Sequence, residues 1–466
     1  MISKARLLIC LPVLLAILAC SSIIPVIQRE PLPSQENNQI ARKPTVISQA
    51  TYTPFPTAIP TQTVSLPSPT VNLIPTSTPE PTLIPLDFQL RIFENLWSIV
   101  NDTYVYPDFN GLDWEAIRQE YTQKISAGLT NPQFYIALSE LISSLGDDHS
   151  QFLTPHDVAE QESEYQGNYD YVGIGVVVSA VPERQRGVIL SVFTASPAEA
   201  AGLQPRDSII SVDGISIIDE DGFLRDIVRG PEGTSINMEI QTPGEEPRKI
   251  QVTRHRITGE IPVISKVIIS PEGKRIGYIL LVTFDDSTVI EQVKSALRQM
   301  TIEAPLDGLI LDNRMNGGGS STVLEPVLSY FVGGDLGYFV NRAEEHALQI
   351  DINDINGSSQ LPLVVLVGSE TASFGEIFAG VLQDVGRAYL IGKTTDGNVE
   401  ILWGYDLEDG SKIWLANETF RPLNHPDQNW EKTGIIPDLL VSGDFDQFSL
   451  ENDPAVSAAV RYFSEH

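Results

Sequence analysis

At 466 residues, 42% of them hydrophobic, the chain is too long for one ordinary domain and apolar enough for two or three packed cores. Its 61 acidic against 30 basic residues give a formal net charge of −31. That charge repels both a nucleic-acid backbone and an anionic membrane surface, so neither is expected as a partner; it otherwise reads mostly as a solubility feature, with some preference for neutral or cationic substrates.

Lys4 and Arg6 precede an apolar stretch from Leu7 to Ala19, which reads as a secretory signal over residues 1–19, shorter than a membrane span. Ile17-Leu18-Ala19-Cys20 resembles the bacterial lipoprotein processing box, which implies lipidation of Cys20, a lipidated start over 20–30 and an extracytoplasmic protein held to the membrane by that lipid alone. The other cysteine, Cys10, lies inside the signal, so the mature fold has neither an internal disulfide nor a thiolate site to build. Residues 31–85 are rich in Pro, Thr and Ser, as in Thr51-Tyr-Thr-Pro-Phe-Pro-Thr, and form an extended spacer that cannot bury a core.

Residues 86–166 form a helical segment. Apolar positions recur at helical spacing in three runs, marked by Leu90, Ile92, Phe93, Leu96 and Ile99, then Trp114, Ile117 and Tyr121, then Phe134, Leu138 and Leu141. The third run ends at Gly146, and Asp147-Asp148-His149-Ser150 follows as a loop or strand entry.

Residues 167–257 change to strand patterns, at Val176-Val-Val, Gly187-Val-Ile-Leu-Ser-Val-Phe, Ser208-Ile-Ile-Ser-Val and Ser235-Ile-Asn-Met-Glu-Ile, with short helices expected at 196–203 and around 222–228. Val172-Gly-Ile-Gly, Ser196-Pro-Ala-Glu-Ala-Ala-Gly-Leu, Gly202-Leu-Gln-Pro-Arg-Asp and Ile210-Ser-Val-Asp-Gly resemble a PDZ domain in the circularly shifted order of bacterial peptidases. The resemblance implies that Val172, Gly173, Ile174 and Gly175 bind a peptide's terminal carboxylate through backbone N–H groups, with an exposed strand edge pairing to the peptide.

Residues 258–466 alternate strands and helices: Ile276 to Leu281, helix Val289 to Met300, Asp307 to Asp312, helix Thr322 to Phe331, Leu361 to Val367, helix Glu376 to Asp384, and Ala388 to Gly392. This is an α/β core with a curved sheet and helices outside it, completing a multidomain fold. Ser373 stands where the Leu361 strand turns into a helix. It is either a helix N-cap or a nucleophile with unpaired N–H donors beside it. Asp312-Asn-Arg-Met-Asn316-Gly-Gly-Gly319 ends the neighbouring strand, where exposed N–H groups suit an oxyanion.

Leu145-Gly-Asp-Asp-His-Ser, the glycine-rich Asp312 segment, Thr371-Ala-Ser-Phe-Gly-Glu-Ile, Gln383-Asp-Val-Gly-Arg-Ala-Tyr-Leu-Ile-Gly and Gly434-Ile-Ile-Pro-Asp together resemble the C-terminal processing peptidases, over residue 86 to the end. The resemblance implies a serine peptidase with Ser373 as nucleophile and no cofactor. The family's general-base lysine lies in a Thr-Phe-Gly-Lys-Gly segment, whose equivalent here is Thr395-Asp-Gly-Asn398-Val, and an amide cannot accept the serine's proton. Tricorn-like relatives use a histidine and a glutamate instead, which implies His149 as base and Glu431 as its partner, with Asp148 or Ser150 available to fix the imidazole tautomer and Lys393 as the other candidate base. Oxyanion donors would be the N–H groups of Phe374 and of Gly317 or Gly318. The remaining histidines lack metal-ligand spacing, so no metal site is expected. Two functions follow: an endopeptidase acting on protein or peptide C-termini, or an inactive PDZ scaffold that only holds them.

Overall fold

The computed structural model describes residues 83–147, 149–165, 169–220 and 222–465. The signal, Cys20, almost all of the spacer, and Asp148 lie outside the described residues. Among the described residues no helix is long and apolar enough to cross a membrane.

The three expected helices are α1 (Leu86–Thr103), α2 (Trp114–Ser126) and α3 (Asn131–Ser143). Helix α1 buries Ile92, Phe93, Leu96 and Val100 on one stripe, against Phe134, Leu138 and Leu141 of α3. Helix α3 stops at Ser143, three residues before Gly146, which takes φ 72° and turns the chain away. A short strand β1 (Gln151–Leu153) and a helix α4 (Pro155–Tyr165) follow, the latter not anticipated because its polar composition carries little apolar periodicity. The helical core also takes in Leu407, Ile413, Leu415 and Ala416 from near the far end of the chain, so this segment folds as a cap on the core.

Next come β2 (Tyr169–Gly173), β3 (Val176–Val181), β4 (Arg186–Val192), α5 (Pro197–Ala200), β5 (Ser208–Val212), β6 (Ile215–Ser216), β7 (Ser235–Gln241), β8 (Arg248–Thr253) and β9 (His255–Gly259). Strands run in the order β3-β4-β5-β7-β8, with β6 on β5, and β2 pairs separately with β9. This is the PDZ-like unit, closed over Ile189, Leu203, Ile209, Ile236, Met238 and Val252. Ser196 caps α5 by accepting the Glu199 N–H at 3.1 Å. The expected helix around 222–228 does not form. The Ile227 and Val228 carbonyls accept the Arg254 guanidinium at 2.7 and 2.9 Å, and the Arg225 N–H donates to Ile217 O, so the groups of a helical turn are committed across the domain.

The remainder holds β10 (Ser265–Ile269), β11 (Arg275–Leu280), α6 (Val289–Met300), β12 (Gly308–Asp312), α7 (Ser321–Ser329), β13 (Gly334–Val340), β14 (Glu345–Ile350), β15 (Leu363–Val367), α8 (Phe374–Asp384), β16 (Tyr389–Gly392), β17 (Ile401–Asp406), β18 (Lys412–Pro422), α9 (Trp430–Thr433), β19 (Leu439–Leu440) and α10 (Pro454–Glu465). One sheet runs β10-β11-β12-β15-β16-β19, parallel except at β10. Leu309, Leu311, Leu363, Val365 and Val367 face α6, α7 and α8, while Ile310, Val364 and Leu366 face α10. Burial on both faces explains the unbroken apolar runs of β12 and β15. A second, antiparallel sheet runs β1-β18-β13-β14, with β17 also on β18. Pairing of β1 with β18, Phe152 opposite Ile413, fastens the residues just before β1 to the core.

Arg206 of the PDZ-like unit, at φ 81°, inserts into the core and donates to Asp453 at 2.7 Å and to the Phe445 and Phe448 carbonyls at 3.0 Å. Arg314 joins Asp312 and Asp453 in the same buried cluster. Burial works against the Asp312 charge, yet the Arg314 and Arg206 guanidiniums hold its carboxyl below the usual range.

Candidate active site

Strands β12 and β15 end side by side, and both site loops leave the sheet at its carboxyl edge. After β15 the Gly368 N–H donates to Thr371 Oγ1, whose hydroxyl donates to Asn313 O at 2.8 Å, which ties the second loop to the first. Ser373 then adopts φ 52° and ψ −129°, a conformation that costs a non-glycine residue roughly 1–3 kcal/mol. It occupies the N-cap position of α8 but its side chain caps nothing; its carbonyl instead accepts the Glu376 and Ile377 N–H groups. Among the described residues the Ser373 hydroxyl has no hydrogen-bond partner, so this sharp strand-to-helix turn leaves it open instead of spending it on a cap.

Beside it, Asn316 O accepts the Ala372 N–H at 3.1 Å, Asn313 Nδ2 donates to Gly375 O at 2.8 Å, and Asn316 Nδ2 donates to Asn313 Oδ1 at 2.9 Å. A Cβ at Gly318 would lie 2.7 Å from the Ser373 Cβ and 3.0 Å from the Phe374 nitrogen, so only glycine lets these loops meet. The Gly318 N–H donates to Asn316 Oδ1 at 2.9 Å and is already committed. Among the described residues the N–H groups of Gly317 and Phe374 have no such partner. Of the two glycines, Gly317 therefore retains a donor for an oxyanion.

The Ser373 N–H donates to Asn398 O at 2.6 Å. The segment around Asn398 is held by Glu376, whose buried carboxyl accepts from Thr395 Oγ1 at 2.5 Å, Gly397 N–H at 2.9 Å and Asn398 N–H at 2.8 Å. Burial pushes the Glu376 carboxyl up to about 7 against the pull of these donors. The next two residues, Val399 and Glu400, donate their N–H groups to Glu431 Oε2 at 2.7 and 3.2 Å.

Glu431 Oε1 and Glu400 Oε2 each lie 3.5 Å from His149 Nε2. His149 comes from the cap, carried here by β1 and by Ser150 Oγ, which accepts the Ala416 N–H. Its loop is shaped by Asp147 Oδ1, which accepts the His149 and Ser150 N–H groups, while Asp147 Oδ2 accepts the Tyr104 hydroxyl. Burial disfavours the imidazolium, but the hydrogen bond to Glu431 and the charges of Glu400 and Glu431 outweigh it and hold the ring above its ordinary value. Burial, reinforced by Glu431, pushes Glu400 up to about 7. Among the described residues no hydrogen bond joins Ser373 Oγ to His149, and Ser150 makes none to the ring.

Lys393 is paired with Asp444. In the PDZ-like unit, Val172 and Gly173 pair with Arg256 and His255, Ile174 is buried in the domain core, and Gly175 takes φ 83° against Ser196. Strand β3 follows directly and is an edge of its sheet. Glu400, Tyr106, Glu376 and Asp147 were missed as site residues. Asp147 and Glu376 stand inside the motifs quoted above, and Glu400 is an acid breaking the apolar run Val399 to Leu402, whereas Tyr106, whose hydroxyl donates to Glu400 Oε1, carried no such signal.

The family model for peptidase family S41 matches residues 275–441, that for the tricorn protease C1 domain matches 90–143, and that for a PDZ domain matches 188–242. The chain is 30% identical over 382 residues to the carboxyl-terminal-processing protease of Synechocystis sp., covering 80% of this chain and 86% of that protein. The chain belongs to the carboxyl-terminal-processing proteases. It is also 31% identical over 350 residues to the carboxyl-terminal-processing protease of Picosynechococcus sp., covering 74% and 81%. Among solved structures it is similar to a photosystem II D1 C-terminal processing protease, at 26% identity and a TM-score of 0.56, over 80% of this chain and 97% of that one. As a carboxyl-terminal-processing protease it is a serine-type peptidase of family S41, built of a helical segment, a PDZ domain and an α/β core.

Proposed function

We propose that this chain is an endopeptidase that cleaves protein substrates through an acyl-enzyme on Ser373. The observation that carries the reading is the uncapped hydroxyl of Ser373 in its strained turn, beside the free N–H groups of Phe374 and Gly317. Ser373 Oγ attacks the scissile carbonyl carbon as His149 takes its proton, and the two N–H groups receive the oxyanion. The imidazolium then protonates the leaving amine; water, deprotonated by the same ring, attacks the acyl carbon, and the ring returns that proton to Ser373 Oγ as the ester bond breaks and the carboxylic acid leaves. Glu431, held by two backbone donors, orients and charges the ring. Closure of the gap between Oγ and the imidazole belongs to the substrate complex, where catalytic hydrogen bonds commonly tighten.

A fluorophosphonate probe is expected to label the wild type and spare Ser373→Ala, with hydrolysis of an unfolded protein lost in the same variant. An unlabelled, inactive wild type that binds C-terminal peptides would instead support the scaffold reading, which Asn398 favours. The turn at Gly175 after β2 and the edge strand β3 that follows it support capture of substrate C-termini. The basic and apolar residues before Cys20, and the spacer after it, support export and lipid anchoring; fatty-acid labelling lost in Cys20→Ala tests this.

A further inference from the structure

Three side chains from distant parts of the chain each turn one atom toward a single point. Glu431 Oε2 is taken by the Val399 and Glu400 N–H groups, which leaves Oε1 3.5 Å from His149 Nε2. Glu400 Oε1 is taken by the Tyr106 hydroxyl, which leaves Oε2 3.5 Å from the same nitrogen. That Oε2 is buried and has no hydrogen-bond partner among the described residues, and the Glu400 side chain is 3% exposed. A buried, unsatisfied carboxylate oxygen is costly and calls for a cation or a donor. The three ligand atoms lie within 4.8 Å of one another.

We propose that His149, Glu400 and Glu431 form a site for a zinc-class divalent ion, which silences the peptidase when filled. Ligand atoms about 2.1 Å from a tetrahedral zinc ion stand about 3.4 Å apart, close to the two 3.5 Å separations found here. The second carboxylate oxygens are already pinned by a phenol and by backbone N–H groups, which is the outer-shell support that metal carboxylates need. One imidazole with two carboxylates suits zinc over calcium or magnesium, which take six or more oxygens. Three protein ligands leave one tetrahedral position open. With Nε2 on the metal, the neutral ring carries its one proton on Nδ1 and has no lone pair left to accept the serine's, a consequence that rests on the proposed role of His149 as base.

The site and its consequence separate in two measurements. Zinc chloride titrated into full-chain Ser373→Ala against a chromophoric chelator is expected to bind one ion per chain, unaffected by millimolar calcium or magnesium. Glu400→Gln and His149→Gln in that background should weaken binding at least about 100-fold, and Tyr106→Phe, which keeps the ligands but frees Glu400, about 10-fold. Circular dichroism melts confirm that each variant is folded. Absent binding, or binding indifferent to all three substitutions, overturns the site and leaves the hydrolytic reading intact. In the wild type, zinc should abolish probe labelling and hydrolysis, with recovery on chelation. Binding that needs Glu400 and His149 yet spares hydrolysis would overturn the silencing and remove His149 as base, while the metal site would remain.

Discussion

The backbone N–H of Ser373 donates to the carbonyl oxygen of Asn398 at 2.6 Å, so the residue standing at the lysine position of related enzymes meets the serine through its main chain. The contact needs a fixed backbone, supplied by Glu376, and not an amide side chain. Asn398→Ala should therefore keep kcat/KM within about threefold of wild type. A fall of 100-fold or more would show that the amide itself takes part.

His149 and Lys393 make opposite predictions. The imidazole lies in the cluster with Glu431, while the lysine is spent on Asp444. His149→Ala should lower kcat/KM by about 10³-fold or more, and Lys393→Ala by no more than a few-fold. Steady-state hydrolysis of one unfolded substrate compares the two, and the reverse ranking would move the base to Lys393.

A Cβ added at Gly375 would come 2.4 Å from the backbone oxygen of Asn316, which cannot yield without moving the loop that carries Gly317. Gly375→Ala should cost about 10²-fold in kcat, the scale of one lost oxyanion donor, while the protein stays folded. Unchanged turnover in a folded variant would mean that this loop has no part in the reaction.

Arg206→Met would strip a buried cation from Asp312 and Asp453. Breaking a buried ion pair costs about 3–5 kcal/mol, and Arg314 remains to meet part of the charge, so a loss of about 3 kcal/mol is expected from urea unfolding. A change under about 1 kcal/mol would refute the coupling of the PDZ domain to the core through this side chain.

Glu376 gives a pH signature. Its folded pKa of about 7 lies above the ordinary carboxyl value, so between the two the folded chain holds a proton that the unfolded chain has released. The associated stability is present below the unfolded pKa and is lost as pH rises through about 7. In Glu376→Gln that loss disappears, so the stability advantage of wild type over the variant should shrink with rising pH by up to about 1.4 kcal/mol per unit. Parallel stability curves across that window would falsify the assignment.

Much of this molecule is readable from local pattern. Helix α6 occupies the predicted residues because its apolar stripe and flanking polar residues agree, and β12 and β15 announce themselves as buried strands by unbroken apolar runs. The helix expected around 222–228 was misread because a side chain distant in sequence, Arg254, claims its carbonyls. Helix α4 escaped notice because its polar residues carry little apolar periodicity.

The candidate site divides along the same line. Ser373, the paired glycines, His149 and Glu431 stand in short motifs, and a motif survives in one dimension. Tertiary structure alone decided that Ser373 caps nothing, that Gly318 is committed and Gly317 is not, and that Glu400 joins His149. Each of these depends on where a hydrogen-bond partner lies after β1 pairs with β18 and the two strand ends meet, and local spacing carries no record of partners supplied from elsewhere in the chain.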